Sequence, residues 1–373
     1  MNRINPLISI LFIFCFVLLF GCIEPFYFEL EEDSPPLVIQ SYVSDVSYDE
    51  SLLYPSDGRF FKTTLRYGQN LFGKGINVSG AEVLLHSDKG DVWSYSENRP
   101  GEYLLSDPEF AAIKGNKYKL EITLPTSEKY ESTWEEIYSG EHAMGDLGFV
   151  ETTVFNNRFD RGEEILQEIS GVELTVEVPN NTTSNKRFYM WEYESAWIFI
   201  AGRLDFEDPL YDCFVRSTSY LQGFDLTEDN SGGYTENLAF VRVEANERVL
   251  YDMSILVKQF IISQEYYNFL IELGKQTESN NIFATPPFNL KTNYKGINTD
   301  YPVFGYFSVR DEEAKRMYFS VDDLSYVVDT TILIQNCRTA EPPYAPDDPC
   351  DNCLNYSYGG EASLDTPRWW VRR

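Results

Sequence analysis

Ala81-Glu-Val-Leu-Leu-His86, Asp88-Lys-Gly90, Val92-Trp-Ser-Tyr95, Arg99-Pro-Gly101 and Glu102-Tyr-Leu-Leu105 succeed one another within residues 81–105. Short runs of aliphatic and aromatic residues separated by glycine-bearing turns have the rhythm of β-hairpins. The pattern extends outward in both directions. Leu37-Val-Ile-Gln-Ser-Tyr-Val43 and Phe61-Lys-Thr-Thr-Leu-Arg-Tyr67 precede it; Tyr118-Lys-Leu-Glu-Ile-Thr-Leu124 and Tyr130-Glu-Ser-Thr-Trp134 follow. About seven strands over residues 37–138 predict a small β-sandwich.

The polar stretch Ser139-Gly-Glu-His-Ala-Met-Gly145 separates this from a larger β-rich region, residues 146–340. There Val172, Leu174, Val176 and Val178 alternate with Glu173, Thr175 and Glu177, the pattern of a half-exposed strand. Arg187 to Ile200 is too long and too aromatic for an ordinary edge strand. Asp225 to Gly233 reads as a polar loop, and Leu238–Val243, Tyr251–Ile262, Val303–Val309, Met317–Val321 and Thr331–Gln335 read as strands. One amphipathic helix is predicted over residues 263–274: Ser263 is the N-cap, and Tyr266, Phe269, Leu270 and Leu273 fall at i, i+3, i+4 and i+7, with Gly274 at the end. Residues 341–373, rich in Cys, Pro and Trp, read as a stapled tail. The fold class is therefore mainly β, a sandwich followed by a larger β-rich domain with one inserted helix.

The 373 residues carry 59 acidic and 30 basic side chains, net charge −29, and 16% are aromatic. So many aromatics exclude a disordered acidic tail, and the charge argues against a nucleic-acid partner. At the N-terminus Arg3 precedes Leu7–Phe20, fourteen residues of which only Ser9 is polar. That is short of the ~20 residues a spanning helix needs but has the length of a secretory apolar core. It ends in Leu18-Leu19-Phe20-Gly21-Cys22, which resembles the lipobox of bacterial lipoproteins. The resemblance implies a signal peptide over 1–21, lipidation of Cys22 and attachment to a membrane, stable where more than one acyl chain is present. Residues 22–36 form an acidic tether with Glu24, Glu29, Glu31, Glu32 and Asp33. Such a tether is similar to the export tag that sends Bacteroidota lipoproteins to the outer face of the outer membrane; the alternative is a solvated linker.

Cys213, Cys337, Cys350 and Cys353 remain. An oxidising compartment makes two disulfides the default, and long-range links of Cys213 and Cys337 to the Cys350-Asp-Asn-Cys353 pair are favoured. The competing readings are a local bridge, a redox pair or a four-thiolate zinc site.

Catalytic signals are sparse. His86 and His142 are the only histidines, and no nucleophile elbow, phosphate loop, dinucleotide turn or His-Glu-x-x-His helix occurs. With so many acids, some pair always falls at glycosidase spacing. Glu192 and Glu194, flanked by Trp191, Tyr193 and Trp197, are the best candidates for gripping a sugar; the competing reading is a core strand. The acidic stretches Asp225–Asn230 and Asp347–Asn352 suggest calcium but lack the register of a calcium loop. No metal or cofactor is assigned.

Gly80-Ala-Glu-Val83, Gly101-Glu-Tyr103 and Lys117-Tyr-Lys-Leu-Glu-Ile122, in that order, resemble the transthyretin-like or carboxypeptidase-regulatory-like modules of bacterial surface proteins. Over nearly the whole mature chain, the lipobox and Leu37-Val-Ile-Gln-Ser-Tyr-Val-Ser-Asp45 are followed by Arg187-Phe-Tyr-Met-Trp-Glu-Tyr193 and Ile262-Ser-Gln-Glu-Tyr-Tyr-Asn-Phe269. Pro286-Pro-Phe-Asn-Leu290, Val303-Phe-Gly-Tyr-Phe-Ser308, Cys350-Asp-Asn-Cys353 and Pro367-Arg-Trp369 come next. This order resembles the Bacteroidota lipoproteins known as domain of unknown function 4249. The resemblance implies a non-enzymatic surface lipoprotein of the outer membrane, a partner of a TonB-dependent receptor in capturing or admitting a ligand. The aromatic stretch (Trp191, Tyr193, Trp197, with Glu192 and Glu194) and the tail (Trp369, Trp370) are the expected partner surfaces. A surface hydrolase of glycans or peptides and a structural or adhesive module are the alternatives.

Overall fold

A computed structural model describes residues 36–54, 56–68, 75–138, 143–160, 163–181, 186–221, 223–278, 290–328, 337, 342 and 345–371. Cys22 with its leader and tether, His142 and the expected strand Thr331–Gln335 lie outside these residues. All described elements belong to one compact unit, Pro36–Arg373.

The N-terminal strands are β1 (Leu37–Ser44), β2 (Lys62–Tyr67), β3 (Ile76–Asn77), β4 (Glu82–Ser87), β5 (Val92–Arg99), β6 (Glu102–Leu105), β7 (Lys117–Thr123), β8 (Lys129–Ser132) and β9 (Glu135–Glu136). A single turn, α1 (Tyr48–Ser51), follows β1 and is closed by a Ser47–Glu50 capping box. The second region contains β10 (Leu147–Asp160), β11 (Glu163–Val178), β12 (Arg187–Ile200), β13 (Asp212–Ser217), β14 (Asp225–Asp229), β15 (Tyr234–Arg242) and β16 (Met253–Ile261). The helix α2 (Gln264–Glu278), β17 (Tyr294–Gly296), β18 (Val303–Phe319) and β19 (Glu361–Ser363) complete it.

Strand alternation builds two cores. Tyr118, Leu120 and Ile122 of β7 point inward and pack with Leu37, Ile39, Leu65, Leu85 and Tyr103, the expected sandwich. In the second core, Val172, Leu174 and Val176 of β11 and Val241 of β15 meet Trp191, Tyr193, Ile255 and Val257. The three-stranded sheet β10-β11-β15 thus covers one face of β12 and β16.

The boundary expected at residues 139–145 divides the sequence but not the sheet. β1 pairs in parallel with β18, from Leu37 opposite Val303 to Ser44 opposite Arg310, and β17 pairs with β8. Late strands therefore extend the sheets of the N-terminal sandwich. The close approach of β1 and β18 depends on Gly305, whose φ is +122° and where a Cβ would stand 1.7 Å from Ile39 O.

Three other expectations change, and one strand appears that the sequence does not announce. Val303–Val309 and Met317–Phe319 belong to one continuous strand, β18, because the charged run between them pairs with β16, while Val321 falls beyond the strand in a short 3-10 turn. Asp225 to Asp229 form β14, paired with Trp191 to Arg187 of β12; only the residues after it turn, with Asp229 Oδ1 accepting from Ser231 N (3.1 Å) and Gly232 N (2.7 Å). The helix starts as expected, Ser263 Oγ accepting from Tyr266 N at 3.2 Å, but runs past Gly274 to Glu278. Gly274 faces open space, and a mid-helix glycine costs only about 1 kcal/mol. Finally, β10, whose Thr- and Asn-rich sequence gives no strong signal, pairs with β11 as a long hairpin. Beyond β15 that hairpin exposes Phe155 (64%) and Leu166 (63%).

Candidate functional site

Alternation gives β12 two faces with different fates. Trp191, Tyr193 and Trp197 point into cores and are 0%, 6% and 0% exposed. They present no face to a partner, because the β11–β15 layer covers Trp191 and Tyr193 and the segment around Cys353 and Tyr356 covers Trp197. Met190, Glu192 and Glu194 occupy the opposite face. The register places Glu192 beside Lys258 of β16, Lys258 beside Ala314 and Phe260 beside Glu312 of β18. β1 brings Tyr42 beside Ser308 and Ser44 beside Arg310. A strip of ionisable residues therefore runs across one face of three central strands.

The strip is neutralised pair by pair, as burial demands. Arg59, from the segment after α1, forms an ion pair with Glu312 and donates to Ser44 Oγ at 2.7 Å, while Ser44 Oγ donates to Glu312 Oε2 at 2.5 Å. Glu194 pairs with Lys258. Burial alone would raise the Glu194 pKa, but Lys258 holds it below the usual carboxylate value. Burial likewise opposes the Lys258 charge, and Glu194 outweighs it, so the ammonium pKa is raised. Arg316 is pushed down to about 10 by burial and lies 3.4 Å over the Trp369 ring. Asp45, buried and close to Asp311, is pushed up to about 6.

Two elements cover the ends of this face. Trp369 and Trp370 pack on Ala196 and Phe214, with Tyr318 Oη donating to Trp369 O (2.7 Å) and Trp369 Nε1 to Asp57 Oδ1 (3.0 Å). The tail tryptophans are thus buried against the sheet rather than displayed. At the other end α2 lays Tyr266, Phe269 and Leu270 on Phe188, Met190, Phe260 and Tyr306.

Alongside α2 a groove of about 780 Å³ remains, with Met190, Phe269, Leu270, Leu273 and Phe304 among its walls. Arg310 lines it from within an aromatic cage, its guanidinium carbon 3.9 Å from the Tyr42 ring centre and 5.1 Å from that of Tyr266. Arg310 Nε donates to Ser308 Oγ and Nη2 to Tyr266 Oη, both at 2.9 Å. Its Nη1 is buried and has no hydrogen-bond partner; Glu192 Oε1 lies 3.8 Å away. Lys62 and Arg66 also line the groove, and among the described residues Glu192 is its one carboxylate. Apolar walls with a few oriented polar groups, at this volume, suit a small organic ligand.

Of the residues expected from sequence to form a partner surface, Glu192 alone reaches this groove. Tyr42, Tyr266 and Arg310 are not among those candidates, although Arg310-Asp-Glu-Glu313 directly after an apolar strand is a usable signal. A second cavity, about 590 Å³, is lined by Asp212, Asp252, Asp322 and Asp323 beside Trp370. Among the described residues no group of three or more His, Cys, Asp or Glu is arranged to hold a metal. In the two acidic stretches Asp229 pairs with Arg187, and Asp348 and Asp351 pair with Arg203. The disulfides are the long-range ones expected: Cys213–Cys353 and Cys337–Cys350, with Cα separations of 5.6 and 5.3 Å. They staple the tail to β13 and to Cys337.

A search among curated proteins finds none that matches the chain. A family model described as domain of unknown function (DUF4249) does match, over residues 23–316. That span contains every groove residue named above, and the chain belongs to this family.

Proposed function

We propose that the chain is a non-enzymatic, lipid-anchored protein of the outer-membrane surface that captures a ligand for a TonB-dependent receptor. The observation that carries the ligand-capture role is the groove beside α2, preformed between a helix and a sheet face and built around a caged arginine. The lipobox at Cys22 and the acidic tether support the location. The exposed apolar residues of the β10–β11 hairpin support contact with another protein, since contiguous exposed apolar surface marks interaction sites. Affinity purification of a tagged form from membranes is expected to bring down a β-barrel receptor. Recovery of the protein alone in several detergents would refute the receptor partnership.

The alternative of a surface hydrolase draws its structural support from the cavity beside Trp370, which Asp212, Asp252, Asp322 and Asp323 line. Turnover of a glycan or peptide that is lost in Asp212→Asn or Asp252→Asn would favour it.

A further inference from the structure

The groove has a charge sign opposite to that of the chain. The protein carries net charge −29, whereas among the described residues the groove is lined by Lys62, Arg66 and Arg310 against Glu192 alone. Lys62 is committed in part to Glu102, 3.5 Å away. Arg310 is more informative. Two of its nitrogens are held by Ser308 and Tyr266, which fixes the plane of the guanidinium, and the third is buried without a hydrogen-bond partner. A buried donor left unpaired is costly, and arginine binds carboxylates through such nitrogens. Glu192 is the neighbouring acid, yet at 3.8 Å it is too far to accept a hydrogen bond.

We infer that the groove binds an amphipathic monocarboxylate, its head group on Arg310 Nη1 in place of Glu192 and its apolar body along Phe269, Leu270 and Leu273. A single free nitrogen offers an anchor for one carboxylate rather than the several donors a phosphate dianion takes up. The continuous apolar wall along α2 requires a chain or ring system behind the head group, so small polar acids do not fill the site. This inference rests on the reading of the groove as a ligand pocket and adds the class of ligand.

The test uses the chain from residue 23 onward, which contains the whole compact unit, titrated calorimetrically with dodecanoate, dodecanol and dodecyltrimethylammonium below their micelle concentrations. Saturable one-to-one binding of dodecanoate is expected, with the other two weaker by about tenfold or more. Arg310→Met is expected to abolish that preference, and Glu192→Gln, which removes the competing carboxylate, to tighten dodecanoate binding several-fold. Lys62→Ser with Arg66→Ser, both on exposed side chains, keeps the test independent of whether the Arg310 variant folds; it should weaken dodecanoate and leave dodecanol unchanged. Equal binding of all three probes, or tighter binding of the cation, overturns the ligand class while leaving the pocket. No binding of any probe, with no effect of Leu270→Lys on any probe's heat, overturns the pocket itself.

Discussion

Glu312 and Arg59 provide the sharpest stability test of the charged strip. Their side chains are 2% and 15% exposed, so removing one partner leaves the other's charge buried. Glu312→Leu strands the Arg59 guanidinium, which retains only Ser44 Oγ and Val46 O (3.2 Å) as acceptors. Breaking a buried pair in this way costs about 3–5 kcal/mol. Arg59→Met alone strands Glu312 and costs a similar amount, although the methionine still packs on Phe61, over whose ring the guanidinium now lies at 4.4 Å. Making both changes together, as Arg59→Met with Glu312→Leu, removes both charges and fills the space with apolar atoms. The double variant is expected within about 1 kcal/mol of the parent, because desolvation of the pair offsets most of its attraction. Urea unfolding at pH 7, followed by the fluorescence of buried Trp191 and Trp197, measures all four proteins in one cycle. Additive losses, with the double variant as unstable as the two singles summed, would refute the claim that the strip is held by charge pairing.

Three further outcomes follow from the same structure. Asp45 is held at about 6, against an ordinary value of 3.8, by burial and by Asp311; the folded state therefore binds the proton more tightly, and the stability present below pH 4 is lost as pH rises through 6. The loss approaches about 3 kcal/mol at full ionisation, so Asp45→Asn, which can still accept from Glu312 N (2.9 Å), should be more stable than the parent at pH 8 and equal to it at pH 4. Parallel melting curves across pH 4–8 would contradict this. Gly305→Ala places a Cβ on Ile39 O and is expected to cost more than about 4 kcal/mol, seen as loss of the cooperative melt and early proteolysis between β1 and β18. Replacing Cys213 and Cys353 by serine, across a separation of 140 residues, should cost about 5 kcal/mol, and replacing Cys337 and Cys350, across 13, about 3; the reverse order of melting temperatures would contradict the connectivity.

How far the residues announced the fold depends on which physical signal each element carries. β7 alternates Tyr118, Leu120 and Ile122 with Lys117, Lys119 and Glu121, and its boundaries were readable to within a residue or two because one face is dry and the other wet. α2 was readable from its apolar spacing and cap, though not its end, since glycine weakens a helix without stopping it. β10 was not readable, because a polar hairpin arm derives its conformation from its partner strand rather than from its own composition. The parallel pairing of β1 with β18 joins residues more than 260 positions apart, and no local pattern encodes such a pairing. For the site, the aromatic density of β12 drew attention to the right strand but the wrong face. Trp191 and Tyr193 fill the core, and the residues between them, Met190 and Glu192, reach the groove.

The break that sequence reading places in β18 coincides with the floor of the groove. Arg310, Asp311 and Glu312 are 4%, 7% and 4% exposed in the middle of a strand that aliphatic residues would complete at lower cost. Local rules fail most often where a chain serves something other than folding. The two ends of this sheet face show how it can be covered without ions: Tyr266, Phe269 and Leu270 at one end, Trp369 and Trp370 at the other. Between them the chain instead assembles the buried ion pair Arg59–Glu312, the half-buried pair Glu194–Lys258 and a caged arginine. In the pairs Arg59–Glu312 and Glu194–Lys258 each charge meets its counter-ion in direct contact, and although Arg59 Nη1 is also buried without a hydrogen-bond partner, a structural role suffices for them. Arg310 is different, because its one acid neighbour stands beyond hydrogen-bond reach and its remaining nitrogen is left without a partner beside the groove. That asymmetry within one strip separates the residues that hold the sheet face together from Arg310, on which the proposed ligand site turns.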